Sequence, residues 1–213
     1  MVKRIVLTGG PCAGKTTVLS KIESYLLERG YKVFIVSESA SELISSGITP
    51  HHDGVGMFNF QKLILLYQYH KEEIYNRALE YIKGDVVIIY DRALLDNRAY
   101  VSNSEFDLLL DELSFELGKK LDEFVVLSRY DMVLHLETSA VRKGYNLDNN
   151  KARYESQNEA ILLDVSTKNS WCMHDNFHVI NSTDNFDDKV SIVLNLIDNF
   201  LSKDIDVKRR SRV

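Results

Sequence analysis

Apolar positions along the chain follow two alternating rhythms. Short, nearly continuous apolar runs lie at residues 3–8, 31–36, 85–92, 131–137 and 177–180. Runs of this length without a polar alternate position predict strands covered on both faces, as in a parallel sheet. Between them, apolar residues recur at helical spacing. Val18, Leu19, Ile22, Tyr25 and Leu26 mark a helix over 17–29, and Phe58, Phe60, Leu63, Ile64, Tyr67, Ile74 and Leu79 mark a long one over 57–83. Further helices are predicted at 93–100, at 104–117 with Ser104 as its cap, and at 119–128, 153–171 and 186–201. Strands that alternate with helices predict an α/β domain with a doubly wound, five-stranded parallel sheet and right-handed crossovers.

Two stretches break the rhythm. Residues 45–56 hold Gly47, Pro50, Gly54 and Gly56 and read as a loop. Residues 138–151 lack hydrophobic periodicity and carry Arg142, Lys143 and Gly144. With Arg153 just beyond, the 138–153 stretch is where a lid closing over phosphates is expected. The remainder reads as one domain over 1–203, followed by a basic tail over 204–213 that is expected to be a solvated end.

The chemistry concentrates where the first strand meets the first helix. Gly9, Gly10, Pro11, Cys12, Ala13, Gly14, Lys15 and Thr16 match G-x-x-x-x-G-K-[ST], the phosphate-binding P-loop, with Thr17 next in line. The glycines let the main chain approach a phosphate closely, and successive backbone N–H groups with the helix N-terminus form an anion cradle. Lys15 is expected to reach the β- and γ-phosphates of ATP or GTP, and the Thr16 hydroxyl to ligate Mg²⁺. Cys12 reads as a small filler of the loop.

The third apolar run ends in Asp91-Arg92, an acid at the end of a buried strand. Asp91 is the expected second protein group for Mg²⁺, and Arg92 is a candidate for a phosphoryl oxygen. Glu38 follows the second strand, at the sheet edge where open α/β folds bind ligands. It is placed to take a proton from an acceptor hydroxyl, or simply to cap the next helix. Arg142, Lys143 and Arg153 are candidates to stabilise the transferring phosphoryl group, and Asn181 follows the last strand where a nucleotide base can pack. Gln61, Gln68 and His70 would meet a substrate if the long helix lines the cleft, with satisfied core or surface groups as the alternative. His51, His52 and Asp53 lack the further ligands that a metal site needs. His135 sits among apolar neighbours as a structural histidine.

Composition narrows the classes. With 45% hydrophobic residues the chain can bury a sizeable core, and its net charge of −5 argues against a broad nucleic-acid surface. The two cysteines, Cys12 and Cys172, are far apart and suggest a reducing, cytoplasmic setting rather than a disulfide framework. No run is long enough to span a membrane. A homodimer is left open.

Several stretches together resemble a known family. They are Thr8 to Thr17 (TGGPCxGKTT), Ser37-Glu38-Ser39-Ala40, Asp91-Arg92 with Asp96 and Ala99-Tyr100, Arg153-Tyr154-Glu155-Ser156, Trp171 with His174, and Val179-Ile180-Asn181. The chain resembles the small AAA-domain ATP/GTP-binding proteins that include the nicotinamide riboside kinase portion of the NAD-biosynthesis regulator NadR. The resemblance implies a nucleoside- or nucleotide-kinase-like fold with strand order 2-3-1-4-5. It also favours Glu38 as an active-site carboxylate and raises the standing of Asp91, Arg92 and Arg153. Ser37 stands where family members often carry proline.

The function expected from these residues is Mg²⁺-dependent transfer of a phosphoryl group from ATP or GTP to a small, nucleoside- or nucleotide-like acceptor. Two alternatives share the same cradle: a nucleotide-dependent switch and a polynucleotide 5′-kinase. The chain lacks an N-K-x-D guanine signature, which counts against a GTP switch, and it lacks a basic, aromatic-rich stripe for a nucleic-acid end.

Overall fold

The computed structural model describes residues 1–51, 53–141 and 157–210, with side chains described as far as residue 202. Five parallel strands form one sheet in the order β2-β3-β1-β4-β5, with β1 at Val2–Gly9, β2 at Lys32–Val36, β3 at Val86–Asp91, β4 at Met132–Leu136 and β5 at Phe177–Ile180. The strand order and parallel pairing match the expectation. The central strand β1 pairs with β3 on one side, where Leu7 stands opposite Asp91, and with β4 on the other, where Gly9 stands opposite Leu136. The ends of β1, β3 and β4 therefore converge at one edge.

The strands are apolar throughout because both faces are covered. Ile5, Leu7, Val87, Ile89, Leu134 and Leu136 pack against α1 (Lys15–Glu28) and α7 (Phe186–Arg210), through Val18, Ile22, Leu26, Val193 and Ile197. Val6, Val36, Val86, Ile88 and Tyr90 point the other way, toward α3 (Met57–Ala78) and α4 (Asn103–Leu117), through Leu65, Tyr69, Phe106 and Leu109. Trp171, just after α6 (Gln157–Ser170), is fully buried in the same cluster.

Several boundaries differ from expectation for local reasons. The first helix starts at Lys15, not residue 17, because Gly14 already accepts from Val18 N–H. The long helix ends at Ala78 and tightens into a 3-10 turn, Leu79–Tyr81. Ser102, not Ser104, caps α4: its hydroxyl accepts from Glu105 N–H, and the Glu105 carboxylate accepts in return from Ser102 N–H at 2.8 Å. Gly118, with φ 64°, ends α4, so the helix expected from residue 119 is confined to α5 (Glu123–Leu127), capped by Asp122. Residues 93–100 form a 3-10 helix, Leu94–Tyr100. The start of the helix expected over 153–171 and most of the expected lid lie outside the described residues.

Ile89 lies in the middle of the sheet with no exposure. Ile89→Ala is expected to lower unfolding free energy by about 2–5 kcal/mol, read from urea titration.

Candidate nucleotide site

Each carbonyl from Gly9 at the end of β1 to Ala13 finds a side-chain donor. Lys15 Nζ donates to Gly9 O at 3.1 Å and to Gly10 O at 3.0 Å. The Thr138 hydroxyl donates to Pro11 O, the Ser139 hydroxyl to Cys12 O at 2.9 Å, and Lys189 Nζ to Ala13 O at 3.0 Å. Gly10 N–H donates to Asp164 Oδ1 at 2.7 Å. Gly9 has φ 139°, and a side chain there would collide with the Leu136 carbonyl. Thr16 and Thr17 are exposed on the first turn of α1.

Behind Lys15 lies a cluster of charges. Arg92 Nε donates to Glu38 Oε1 at 2.7 Å, and Arg92 Nη1 to Asp96 Oδ1 at 3.2 Å. Asp96 also accepts from the Thr8 hydroxyl, from Ala93 N–H at 2.9 Å and from Trp171 Nε1 at 3.3 Å. It thus joins the entry to the P-loop, the end of β3 and the end of α6. Glu38 stands at the N-cap position of α2 (Ser39–Ser45), but its carboxylate makes no capping bond. It accepts from Arg92 and from Ser41 instead, so the expected side-chain cap is not made. Among the described residues, the non-glycine positions with positive φ are Cys12 (60°) and Arg92 (64°), both in this site. Such backbone is costly and persists where surrounding contacts hold it.

These charges tune one another. Burial pushes Lys15 down to about 8, aided by Arg92 and opposed by Glu38 and Asp91. Burial opposes ionisation of Glu38, but Arg92, Ser41 and Lys15 outweigh it and hold the carboxyl below its ordinary range. Burial, with the nearby Glu38 charge, moves Asp91 upward. Asp91 Oδ1 is buried and accepts no hydrogen bond among the described residues. Lys15, Arg92, Glu38, Asp91 and Asp96 supply two cations against three anions when ionised. An orphaned carboxylate oxygen in a region with excess negative charge fits a divalent cation, and the exposed Thr16 hydroxyl suits the other side of one. Among the described residues no cluster of three or more His, Cys, Asp or Glu side chains forms a metal site by itself, so water and phosphate oxygens would complete the shell.

The remaining candidates separate. Asn181 is exposed, one residue past β5. Arg142, Lys143 and Arg153 lie outside the described residues, as does His52. Gln68 is a satisfied core group: it accepts from the Ser39 hydroxyl at 2.6 Å and donates to buried Glu72 at 3.0 Å. His70 is exposed, and Gln61 is buried with Oε1 unpartnered among the described residues. His135 is fully buried, with Nε2 3.3 Å from Asp164 Oδ1. Thr138, Ser139, Asp164 and Lys189 escaped the sequence reading. The available signal was periodicity: Asp164 and Lys189 are charged residues at positions where the helical spacing calls for core.

A buried lysine whose pKa is lowered opposes folding while protonated. The cost is full below about pH 8 and is relieved as pH rises from there toward the unfolded value of 10.5. Wild type is therefore expected to gain melting temperature relative to Lys15→Met as pH rises from 8 to 10.5. Thermal melts across that range check it.

Known proteins place the chain in a family and a fold. A family model described as "AAA domain" matches residues 4–188. Thymidylate kinase of Mesoplasma florum is 30% identical over 138 residues, and the match spans 63% of this chain and 63% of the relative. Deoxyadenosine kinase from M. mycoides, solved with bound dATP, superposes with a TM-score of 0.56 at 16% identity, covering 92% of this chain and 99% of that one. The same enzyme with the products dCMP and a flexible dCDP also gives 0.56, covering 92% and 98%. At that identity the likeness is one of fold, the P-loop nucleoside-kinase fold. Among the described residues no helix is long and apolar enough to cross a membrane. The matched span holds the P-loop, Glu38, Asp91 and Arg92, and the chain belongs to the AAA domain family of P-loop proteins.

Proposed function

We propose that this protein is a phosphotransferase that moves the γ-phosphoryl group of ATP or GTP to a hydroxyl of a nucleoside-like acceptor. The observation that carries it is Glu38, held ionised by Arg92 at the edge where the start of α1 and the end of β3 present Lys15 and Asp91. A triphosphate bound in the loop meets N–H groups of the Gly9–Thr17 stretch and the Lys15 ammonium. Thr16 and Asp91 would hold Mg²⁺, which would supply charge neutralisation for the triphosphate.

Glu38 takes the proton from the acceptor hydroxyl. The acceptor oxygen bonds to the γ-phosphorus, the bond to the β–γ bridging oxygen breaks, and the nucleoside diphosphate leaves with that electron pair. Lys15 and Arg92 face the charge that spreads over the phosphoryl oxygens. Arg142 and Arg153 are proposed to join them, and Asn181 to lie near the donor base.

A hydroxyl acceptor is favoured over a phosphate. Arg92 is already bonded to two carboxylates, and Glu38 and Asp91 would repel a second anion. The name of the Mesoplasma relative points to a nucleotide acceptor for that protein, so the two classes are compared directly. ADP and GDP release is measured with nucleosides, ribosylnicotinamide among them, and with nucleoside monophosphates. Turnover with nucleosides, abolished by EDTA and restored by Mg²⁺, is expected. Turnover confined to monophosphates would reverse the assignment of Glu38.

Glu38→Gln is expected to keep triphosphate affinity within about threefold and to lower kcat by about two to four orders of magnitude. Steady-state kinetics beside calorimetric titration separates the two.

A further inference from the structure

Asp164 and Lys189 are buried opposite charges, each only 4% exposed, that no transfer step above uses. They come from different helices, α6 and α7, yet reach the same peptide group. Lys189 Nζ donates to the Glu137 carbonyl at 2.8 Å. The N–H of that same peptide, belonging to Thr138, donates to Asp164 Oδ1 at 3.1 Å. Each side chain also holds the P-loop: Asp164 accepts from Gly10 N–H at 2.7 Å, and Lys189 donates to Ala13 O at 3.0 Å. One peptide beyond β4 is thus gripped from both ends by the groups that grip the two shoulders of the loop.

We propose that Asp164 and Lys189 are positioning residues for triphosphate binding, a two-sided clamp that sets the P-loop's curvature against the Glu137–Thr138 peptide. The physical reason lies in the cradle itself. Backbone N–H groups can turn toward an anion only if the carbonyls between them turn away and are satisfied elsewhere. Lys189 satisfies the last of these carbonyls, while Asp164 fixes the first peptide and leaves the later N–H groups to the ligand. Asp164 also accounts for a residue that the P-loop pattern leaves open. A Cβ on Gly10 would lie 2.6 Å from Asp164 Oδ1 and 2.7 Å from its Cβ, so glycine is required there by the clamp rather than by the phosphate. His135, 3.3 Å from the same oxygen, backs the carboxylate from β4.

The inference rests on the loop binding a triphosphate, and the experiment keeps the two apart. Wild type, Asp164→Asn, Asp164→Ala, Lys189→Met and the Asp164→Ala/Lys189→Met double variant are titrated with Mg·ATP and Mg·GTP by calorimetry, beside thermal melts. Asp164→Ala and Lys189→Met are each expected to weaken binding at least about tenfold, as stranded buried backbone groups shift the loop. Asp164→Asn keeps an acceptor oxygen and is expected to stay within about threefold of wild type. The double variant is expected to lose less than the product of the two single losses, because both act on one loop. If Asp164→Ala does not fold, Asp164→Asn and Lys189→Met decide. Lowered melting temperatures with unchanged affinities would overturn the clamp alone. A wild-type protein that binds neither nucleotide would overturn the phosphate site and the clamp with it.

Discussion

The loop between β1 and α1 can offer its N–H groups to an anion only while its carbonyls are occupied from outside. Five successive carbonyls, from Gly9 to Ala13, accept hydrogen bonds from Lys15, Thr138, Ser139 and Lys189. Much of the molecule is arranged to bring those donors there. The β1–β4 pairing places Gly9 opposite Leu136 and so delivers residues 138 and 139. The docking of α7 on the apolar face of the sheet carries Lys189 to the loop. Apart from Lys15, the donors come from two distant segments, so this set of bonds is complete only once the sheet and its covering helices have assembled.

The acidic side of the site obeys the same economy. Asp96 accepts from four donors in three separate segments and keeps Arg92 in place despite its left-handed backbone. Arg92 in turn holds Glu38, so the half-buried start of α2 presents a fixed, ionised carboxylate. Asp91 lies close by with one buried oxygen left unpartnered among the described residues. A buried carboxylate oxygen is expensive to leave unmet, which is the usual condition of a group that awaits a cation. The strain at Cys12 and Arg92 and the orphaned Asp91 oxygen fall together in one small region.

How much of this could be read beforehand depended on whether the cause was local. The five strands, their parallel pairing and the two helical layers were legible because continuous apolar runs and helical periodicity report burial directly. The P-loop was legible because its residue spacing is itself the chemistry. The cap of α4 was misplaced by two residues because Ser102 and Ser104 offer the same hydroxyl, and only Glu105 N–H decides which is used. The helix expected from residue 119 shrank because Gly118 adopts a left-handed turn that ends α4, and helical structure resumes only after the Asp122 cap.

By itself, then, the sequence determined the class of fold, the phosphate-binding loop, and Glu38, Asp91 and Arg92 as groups at strand ends. These follow from short-range pattern, since a strand end and a loop spacing need no knowledge of distant residues. Tertiary structure alone decided that Glu38 pairs with Arg92 rather than capping a helix, that Gln68 is committed to the core, and that Asp164 and Lys189 meet at one peptide. The long-range contacts behind these outcomes join residues from 26 to 54 positions apart in sequence. Contacts at such separation leave no periodic trace, because any residue of suitable chemistry at the end of a helix or strand can meet any other once the sheet closes.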